Sequence, residues 1–359
     1  MFHTRSITKR NSERGGQTVS KTCVSISDLT ECCLKILHSA GVPEQDADLL
    51  TDTLLDAEIC GIESHGLIRL PAYIRRIRQG LISPVPEITV SERDCALSID
   101  GGDGLGQVVA HRAMQECVAG AKKHGACFAA VRNSNHFGAA SYFSRMAARE
   151  GCIGFACTAA GPAMAPFGGM EPLLGTDPFA VSFPVRGHVP FTLDIAVSAV
   201  AKGKIRIFER EGKCLPRGWA LNKYGNDTTD PAAAISGSLL PMAGHKGYGI
   251  AMVIEAFCCL LSGARLSCES EGMFDSHGKA GTGHFFGAFD IAHFTDPEQF
   301  ERRGGEWFEK IKNSKTRSGV KQILIPGELE ESRRNGGPDF LLLSEATYSK
   351  ILDLNKDGQ

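Results

Sequence analysis

The sequence predicts a mixed α/β (α+β) fold, and three observations carry that prediction. Segments with apolar residues at helical spacing alternate with short apolar runs of strand character along most of the chain. At 359 residues the chain exceeds the size at which a single core stops growing, which allows one large or two closely packed domains. Apolar residues make up 42% and charged residues 22%, enough to fill a core and unlike a disordered or collagen-like chain.

Residues 1–20 are polar and set Arg5, Lys9, Arg10 and Arg14 against one acid; lacking an apolar face, they are expected to form a disordered tail rather than a targeting segment. Ser27 and Asp28 offer helix caps before Leu29, Leu34 and Leu37, and Gly41 supplies the stop. Pro43 opens a second helix on which Ala47, Leu50, Leu54 and Ala57 share one face while Asp46, Asp48 and Asp52 fall mostly off it. Helices are expected over 107–123 and 139–149, followed by strands at 126–131 and 152–158 respectively. The stretch 161–184 turns rich in glycine and proline, with Gly168-Gly169, Gly175 and Pro178 punctuating a loop. Strands follow at 179–183 and 191–195, then a basic stretch at 202–210 and a polar surface excursion as far as Pro231. The apolar segment 248–261 predicts a buried helix, and the remainder mixes short strands with charged helices.

Composition removes several classes of function. With 39 basic and 41 acidic residues the formal charge is -2, which leaves no overall field to hold nucleic acid or an anionic membrane surface. The longest apolar run, around 250–261, is too short to span a bilayer and carries Glu255. Thirteen cysteines, an odd number, include the adjacent pairs Cys32-Cys33 and Cys258-Cys259 but no C-x-x-C pair and no Cys/His cluster at zinc spacing. No disulfide framework and no metal site are expected, and a reducing cytoplasm fits.

No G-x-G-x-x-G turn is present; the nearest run, Gly101-Gly102-Asp103-Gly104-Leu105-Gly106, has the wrong spacing and reads as a loop capping the following helix. Walker and G-x-S-x-G patterns are also missing. The most informative hexamer is Ser64-His65-Gly66-Leu67-Ile68-Arg69. Four residues apart on a helix, His65 and Arg69 share a face. An imidazole exchanges the proton of a carbonyl oxygen and a guanidinium grips a carboxylate in two hydrogen bonds, which suits a 2-oxo acid. A solvated histidine with a surface arginine is the competing explanation. In Asn133-Ser134-Asn135-His136-Phe137-Gly138, His136 is a second acid or base, a substrate contact, or a loop histidine bonded to backbone. Asp194 closes the apolar strand Phe191-Thr192-Leu193-Asp194-Ile195-Ala196, where a buried carboxylate needs a partner. It can hold His65 in one tautomer, or cap the strand end. Gly244-His245-Lys246-Gly247-Tyr248-Gly249 is either a seat for a pyrophosphate or carboxylate or a plain helix start, and Ile325-Pro326-Gly327-Glu328 reads locally as a strand end and turn.

Taken in order, Ser64-His65-Gly66 with Arg69, Asn135-His136-Phe137-Gly138, Ala165-Pro166-Phe167-Gly168-Gly169, Gly175-Thr176-Asp177-Pro178, Leu193-Asp194 with Ala201-Lys202-Gly203-Lys204, the segment 244–249 and Pro326-Gly327-Glu328 resemble the malate/L-lactate dehydrogenase family. This family is unrelated to the Rossmann lactate dehydrogenases and includes ureidoglycolate dehydrogenase, diketogulonate reductase, sulfolactate dehydrogenase and piperideine/pyrroline-2-carboxylate reductase. The resemblance implies an L-sulfolactate dehydrogenase-like, non-Rossmann fold with a predominantly antiparallel central sheet and flanking helices, assembled as a homodimer with its active site near the subunit interface. It implies an NAD(P)-dependent oxidoreductase interconverting a small 2-hydroxy acid and its 2-oxo acid. A cyclic imine reductase and a non-catalytic binding protein on the same fold are the alternatives.

By the same resemblance His65 is the proton donor or acceptor with Asp194 beside it, and His136 has a similar role in some members. Ser64 and Arg69 contact substrate. NAD or NADP lies along Leu193, Asp194, Ile195, Ala196 and Val197, at His245 and Lys246, and near Gly327 and Glu328. The implied layout is a tail over 1–20, an N-terminal helical part of the catalytic domain over 21–105, a nucleotide-binding region over 106–270, and a C-terminal part returning to the catalytic domain over 271–359. Thr158-Ala159-Ala160 stands where many members carry Thr-Asn-Ser, Asp177 where Asn is common and Val197 where Thr is common. A more acidic, less hydroxylated pocket is expected from these departures, disfavouring a dianion such as malate.

Overall fold

A computed structural model describes residues 5–6, 20–270, 272–273 and 278–357. Most of the expected tail over 1–20 lies outside these residues; Arg5–Ser6 pairs antiparallel with the strand Lys21–Ser25, which in turn pairs with Phe340–Ser344. The first helix, Ile26–Ser39, is capped by Ser25, whose Oγ accepts from Asp28 N–H, so Ser27 and Asp28 sit inside the helix rather than before it. Its stop is as expected: Gly41 adopts φ +81° and donates to His38 O.

On the second helix, Glu44–Ile59, Ala47, Leu50, Leu54 and Ala57 are buried as their spacing requires. Ala47, Leu50 and Leu54 pack into one core with Leu29, Ile36, Tyr73 and Ile351. Each fully buried leucine there contributes about 1.5–3 kcal/mol relative to exposure. The off-face Asp56 ties this helical layer to the rest: its carboxylate pairs with Arg145 (2.5 Å) and with Arg334.

The central sheet has seven strands, ordered from edge to edge Thr89–Arg93, Ala96–Asp100, Ala126–Ser134, Thr282–Asp290, Cys152–Thr158, Phe179–Phe183 and Phe191–Ile195. Every pairing is antiparallel except that of Ala96–Asp100 with Ala126–Ser134. Helices Gly106–His124 and Ala140–Arg149 cover one face through Ala113, Met114, Phe143 and Ala147. The other face packs on Met164, Leu174, Ala251 and Ile254. Strands come from 89–100, 126–195 and 282–290, so the three expected stretches share one sheet.

Two expectations change. The basic stretch is a helix, Lys202–Arg210, whose Ile205 is buried. The segment 248–261 is not wholly buried: the helix runs His245–Glu255, a single π turn follows at Ala256–Leu260, and Met252, Val253, Leu260 and Leu261 are exposed in the single chain. One chain offers only enough core to cover the face holding Ala251, Ile254, Cys258 and Cys259. Among the described residues no helix is long and apolar enough to cross a membrane, and all thirteen cysteines are free thiols.

Candidate active site

The hexamer around His65 does not form one helix. Glu63–His65 and Leu67–Arg69 are two 3-10 turns broken at Gly66, so helical spacing is not what brings His65 and Arg69 together. A backbone contact does it: Arg69 Nε donates to Ser64 O at 2.5 Å and folds the second turn back on the first. The break is held from below by Glu58, whose Oε1 accepts from Leu67 N–H at 2.8 Å. A Cβ at Gly66 would collide with that carboxyl, so a larger residue there would displace Glu58 from its bond to Leu67. Burial pushes the Glu58 carboxyl up to about 7.

His136 meets His65 across the site. Their rings stack with centroids 5.5 Å apart and planes 18° from parallel. Tyr73 Oη lies 2.7 Å from His136 Nδ1 and accepts from Gln107 Nε2 at 2.8 Å, so the phenol proton goes to the imidazole. Gly138 N–H also donates to Nδ1 (3.4 Å). With two donors at Nδ1, the ring proton sits on Nε2. Burial keeps the Tyr73 phenol protonated, its pKa pushed up to about 12.

Both imidazoles are neutral near pH 7. Burial first, and then the Arg69 charge, bring His65 down to about 4. His136 is held well below the usual histidine range by burial, then by Arg69, His65 and His284. Ser64 Oγ lies 2.9 Å from His65 Nδ1, and Arg69 Nη1 reaches Met273 Sδ at 3.0 Å. Ser64, His65, Arg69 and His136 therefore form one cluster with an open edge, since neither ring is fully buried.

Asp194 is not part of that cluster. Its Oδ2 accepts from Ser141 N–H at 2.8 Å, capping the helix Ala140–Arg149, and it makes no hydrogen bond to His65. Burial raises its pKa, and the bonds from Ser141 oppose the rise. The orphan amides of a helix start form the partner that a buried carboxylate needs.

The expected cofactor residues fall into one stretch. Thr192 N–H donates to Pro326 O, and Gly327, at φ +94°, lies so close to Thr192 that a Cβ would meet it at 2.9 Å. At the other end Met242 N–H donates to Val197 O, two residues before Gly244 caps the helix of His245 and Lys246. Leu193, Ile195 and Ala196 lie between. Glu328 closes its own turn, accepting from Ile325 N–H at 2.9 Å and pairing with Lys312.

Sequence patterns gave no sign of Glu58, Tyr73, Gln107 or His284 as site residues. The one available signal was a lone polar Gln107 in the otherwise apolar run 106–110, a side chain that the structure buries fully. Asp177 also turned out differently from its expected part in an acidic pocket. It is 0% exposed and turned inward, with Oδ1 accepting from Ala160 N–H at 3.1 Å and Oδ2 buried without a hydrogen-bond partner among the described residues. Burial, and then the neighbouring Glu255, push its carboxyl up to about 8, so it presents no charge to substrate at neutral pH.

A stability prediction follows, since the ordinary value is 3.8 and the folded value about 8. Between them the folded chain keeps a proton that the unfolded chain releases. Stability is therefore full below about pH 4 and falls as pH rises toward about 8. Asp177→Asn keeps the acceptor, tolerates the left-handed φ of +35° and removes the titration. Its melting temperature should exceed the parent's by a margin that grows from about pH 5 to about pH 8, through a difference of several kcal/mol at most. A constant margin across that range would show that Asp177 does not titrate there.

A sheet of this order, with no Gly-rich dinucleotide turn and two neutral imidazoles beside a guanidinium, has the fold of the sulfolactate dehydrogenase from Methanocaldococcus jannaschii. That structure superposes with a TM-score of 0.89 at 37% identity, covering 94% of this chain and 97% of that one. The family model described as malate/L-lactate dehydrogenase matches residues 24–337, and the chain belongs to this family. In sequence the same sulfolactate dehydrogenase is 39% identical over 89% of this chain and 93% of its own length. A malate dehydrogenase from Pyrococcus abyssi is 38% identical over 91% of each. The δ1-piperideine-2-carboxylate reductase of Pseudomonas syringae superposes with a TM-score of 0.83 at 26% identity, covering 92% of this chain and 99% of that one.

Proposed function

We propose that this chain is an NAD(P)-dependent dehydrogenase that interconverts a small 2-hydroxy acid and its 2-oxo acid. The observation that carries the reading is the stacked, neutral His65–His136 pair beside Arg69. Arg69 takes the substrate carboxylate in its planar fork. That anion offsets the Arg69 field on His65 and raises the proton affinity of the imidazole when substrate is present. His65 then accepts the hydroxyl proton in oxidation and returns it in reduction. His136, its proton fixed on Nε2 by Tyr73, donates a hydrogen bond to the substrate oxygen. Ser64 steadies His65 through Nδ1.

A bound nicotinamide nucleotide supplies the hydride donor or acceptor. The residues present fit one: at the helix start after Gly244 the Gly247 amide is taken by Met242 O, the His245 and Lys246 amides make no hydrogen bond among the described residues, and both side chains are exposed, with no hydrogen bond or ion pair made by the Lys246 side chain among the described residues. Lys246 holds the diphosphate, and Leu193, Asp194, Ile195, Ala196 and Val197, with Gly327 and Glu328 behind them, form the wall beside it. In this reading 21–105 supplies Ser64, His65 and Arg69, 106–270 carries most of the nucleotide wall together with His136, and 271–359 adds Gly327 and Glu328 behind that wall. Lys246→Ala should weaken nucleotide binding by about 1.5 to 3 kcal/mol, the range of charge-assisted hydrogen bonds. Unchanged affinity in a fluorescence titration would reduce the segment to a helix start.

The exposed Met252, Val253, Leu260 and Leu261 support a homodimer through this face; a monomer's sedimentation coefficient would refute it. Thirteen free thiols support a reducing cytoplasm. The test of function is absorbance at the reduced nicotinamide band with each nucleotide against pyruvate, oxaloacetate, sulfopyruvate, ureidoglycolate and piperideine-2-carboxylate. Oxidation of the nucleotide by a 2-oxo acid is expected. Turnover of the cyclic imine alone would favour the reductase alternative, and nucleotide binding without turnover the non-catalytic one.

A further inference from the structure

We propose that His284 is a positioning residue that sets the spacing between the His65–His136 pair and the segment following Thr158, through a hydrogen-bonded bridge Ser134–His284–Thr158. The inference rests on the dehydrogenase reading above. His284 lies on the middle strand Thr282–Asp290, flanked by Ala126–Ser134 and Cys152–Thr158, and is 0% exposed. On one side it pairs directly with Thr158; on the other the register slips between Thr282 and His284, and such a bulge re-aims a side chain. The ring reaches Ser134 Oγ at 2.8 Å and Thr158 Oγ1 at 2.7 Å.

The surrounding acceptors assign a direction to each bond. Thr158 Oγ1 gives its single proton to Ala159 O (2.9 Å) or Gly283 O (3.1 Å), so toward the ring it accepts and Nδ1 carries the hydrogen. Burial brings His284 down to about 3, against backbone hydrogen bonds at Asn135 and Gly283 that raise it, so the ring is neutral; with its hydrogen on Nδ1, Nε2 accepts from Ser134. Both ring nitrogens are satisfied, which is what makes a buried imidazole tolerable. An apolar side chain could fill this place without that requirement. What the imidazole adds is its reach: Ser134 stands two residues before His136, and Thr158 two residues before Ala160, which Asp177 holds. The His284 ring also stacks on Phe137, the neighbour of His136, with centroids 4.7 Å apart and planes 7° from parallel. One side chain thus spans the strand ends leading to His136, the hydrogen-bond donor to substrate, and to the segment around Ala160 that Asp177 holds.

Histidine-labelled nitrogen NMR and steady-state kinetics test this on the full chain. The spectrum should show His284 as a neutral Nδ1–H ring from about pH 5 to about pH 9. Thr158→Val, which keeps shape and has no hydrogen bond to His136 to lose, should move the His136 ring resonances, whereas Thr53→Val in a distant helix should not. In turnover, Ser134→Ala and Thr158→Val should each lower kcat about tenfold with nucleotide Kd changed by less than about twofold, and the double variant should fall no further, because either break releases the bridge. Unmoved His136 resonances, additive losses in the double variant, or an effect confined to melting temperature would each overturn the proposal. A parent that turns over no acid would sink the dehydrogenase reading instead, and the resonance comparison would still decide the bridge.

Discussion

His65→Ala is expected to lower turnover by about a hundredfold or more, the scale of a positioned acid or base, while nucleotide affinity stays close to the parent's. The ring is the cluster's half-buried imidazole, neutral at pH 7, and adjacent to both Arg69 and His136. Because the oxidation needs the neutral form, parental kcat/KM in that direction should be flat near neutrality and fall as pH drops through about 4, the His65 value. Alanine should remove this limb. The companion variant Tyr73→Phe separates the two histidines: it takes one donor from His136 Nδ1 and leaves His65 untouched. An unaltered turnover number for pure His65→Ala would take His65 out of the mechanism and pass its role to His136.

Arg69→Lys is expected to reduce kcat/KM by about one to two orders of magnitude, or roughly 1.4 to 2.7 kcal/mol of transition-state stabilisation. Lysine keeps the charge, and burial, the larger cause of the low His65 and His136 values, is unchanged, so the pH profile should hold its shape. It loses the planar fork that orients a carboxylate. It also loses the Nε bond to Ser64 O that folds the two 3-10 turns together, so some of the loss should appear in kcat rather than in KM alone. Nucleotide binding should survive. Equal efficiency of variant and parent on the best acid, or equal activity of the parent on the corresponding amide, would show that no carboxylate is read at Arg69.

Much of this site was legible as residues and little of it as geometry. The pairing of His65 with Arg69 was inferred from a helix that does not exist; Gly66 breaks it, and a side-chain bond to Ser64 O restores the neighbourhood. Asp194 reads in the sequence as a carboxylate that needs a partner if buried, and in the structure it is partly buried. Its partner is the start of the helix Ala140–Arg149, supplied by a segment 53 positions away in sequence, and no local pattern could name it. The apolar helix after Gly244 was read as buried because periodicity reports hydrophobicity without saying what covers it. Asp177 was counted toward the pocket's charge, yet burial turns it into an acid that is protonated at neutral pH.

By itself the sequence determined where most helices, strands and turns lie, and which short motifs carry an imidazole, a guanidinium and a helix start rich in glycine. Backbone preference and side-chain periodicity act over a few residues, so they are written locally. Only the tertiary structure decided which proton each histidine carries and what supports it. Tyr73, Gln107, Ser134, Thr158 and His284 come from five separate stretches, and they meet only once the seven strands take their order. Burial then sets the charge state of each group, and burial is a property of everything packed around a side chain rather than of its neighbours in the chain.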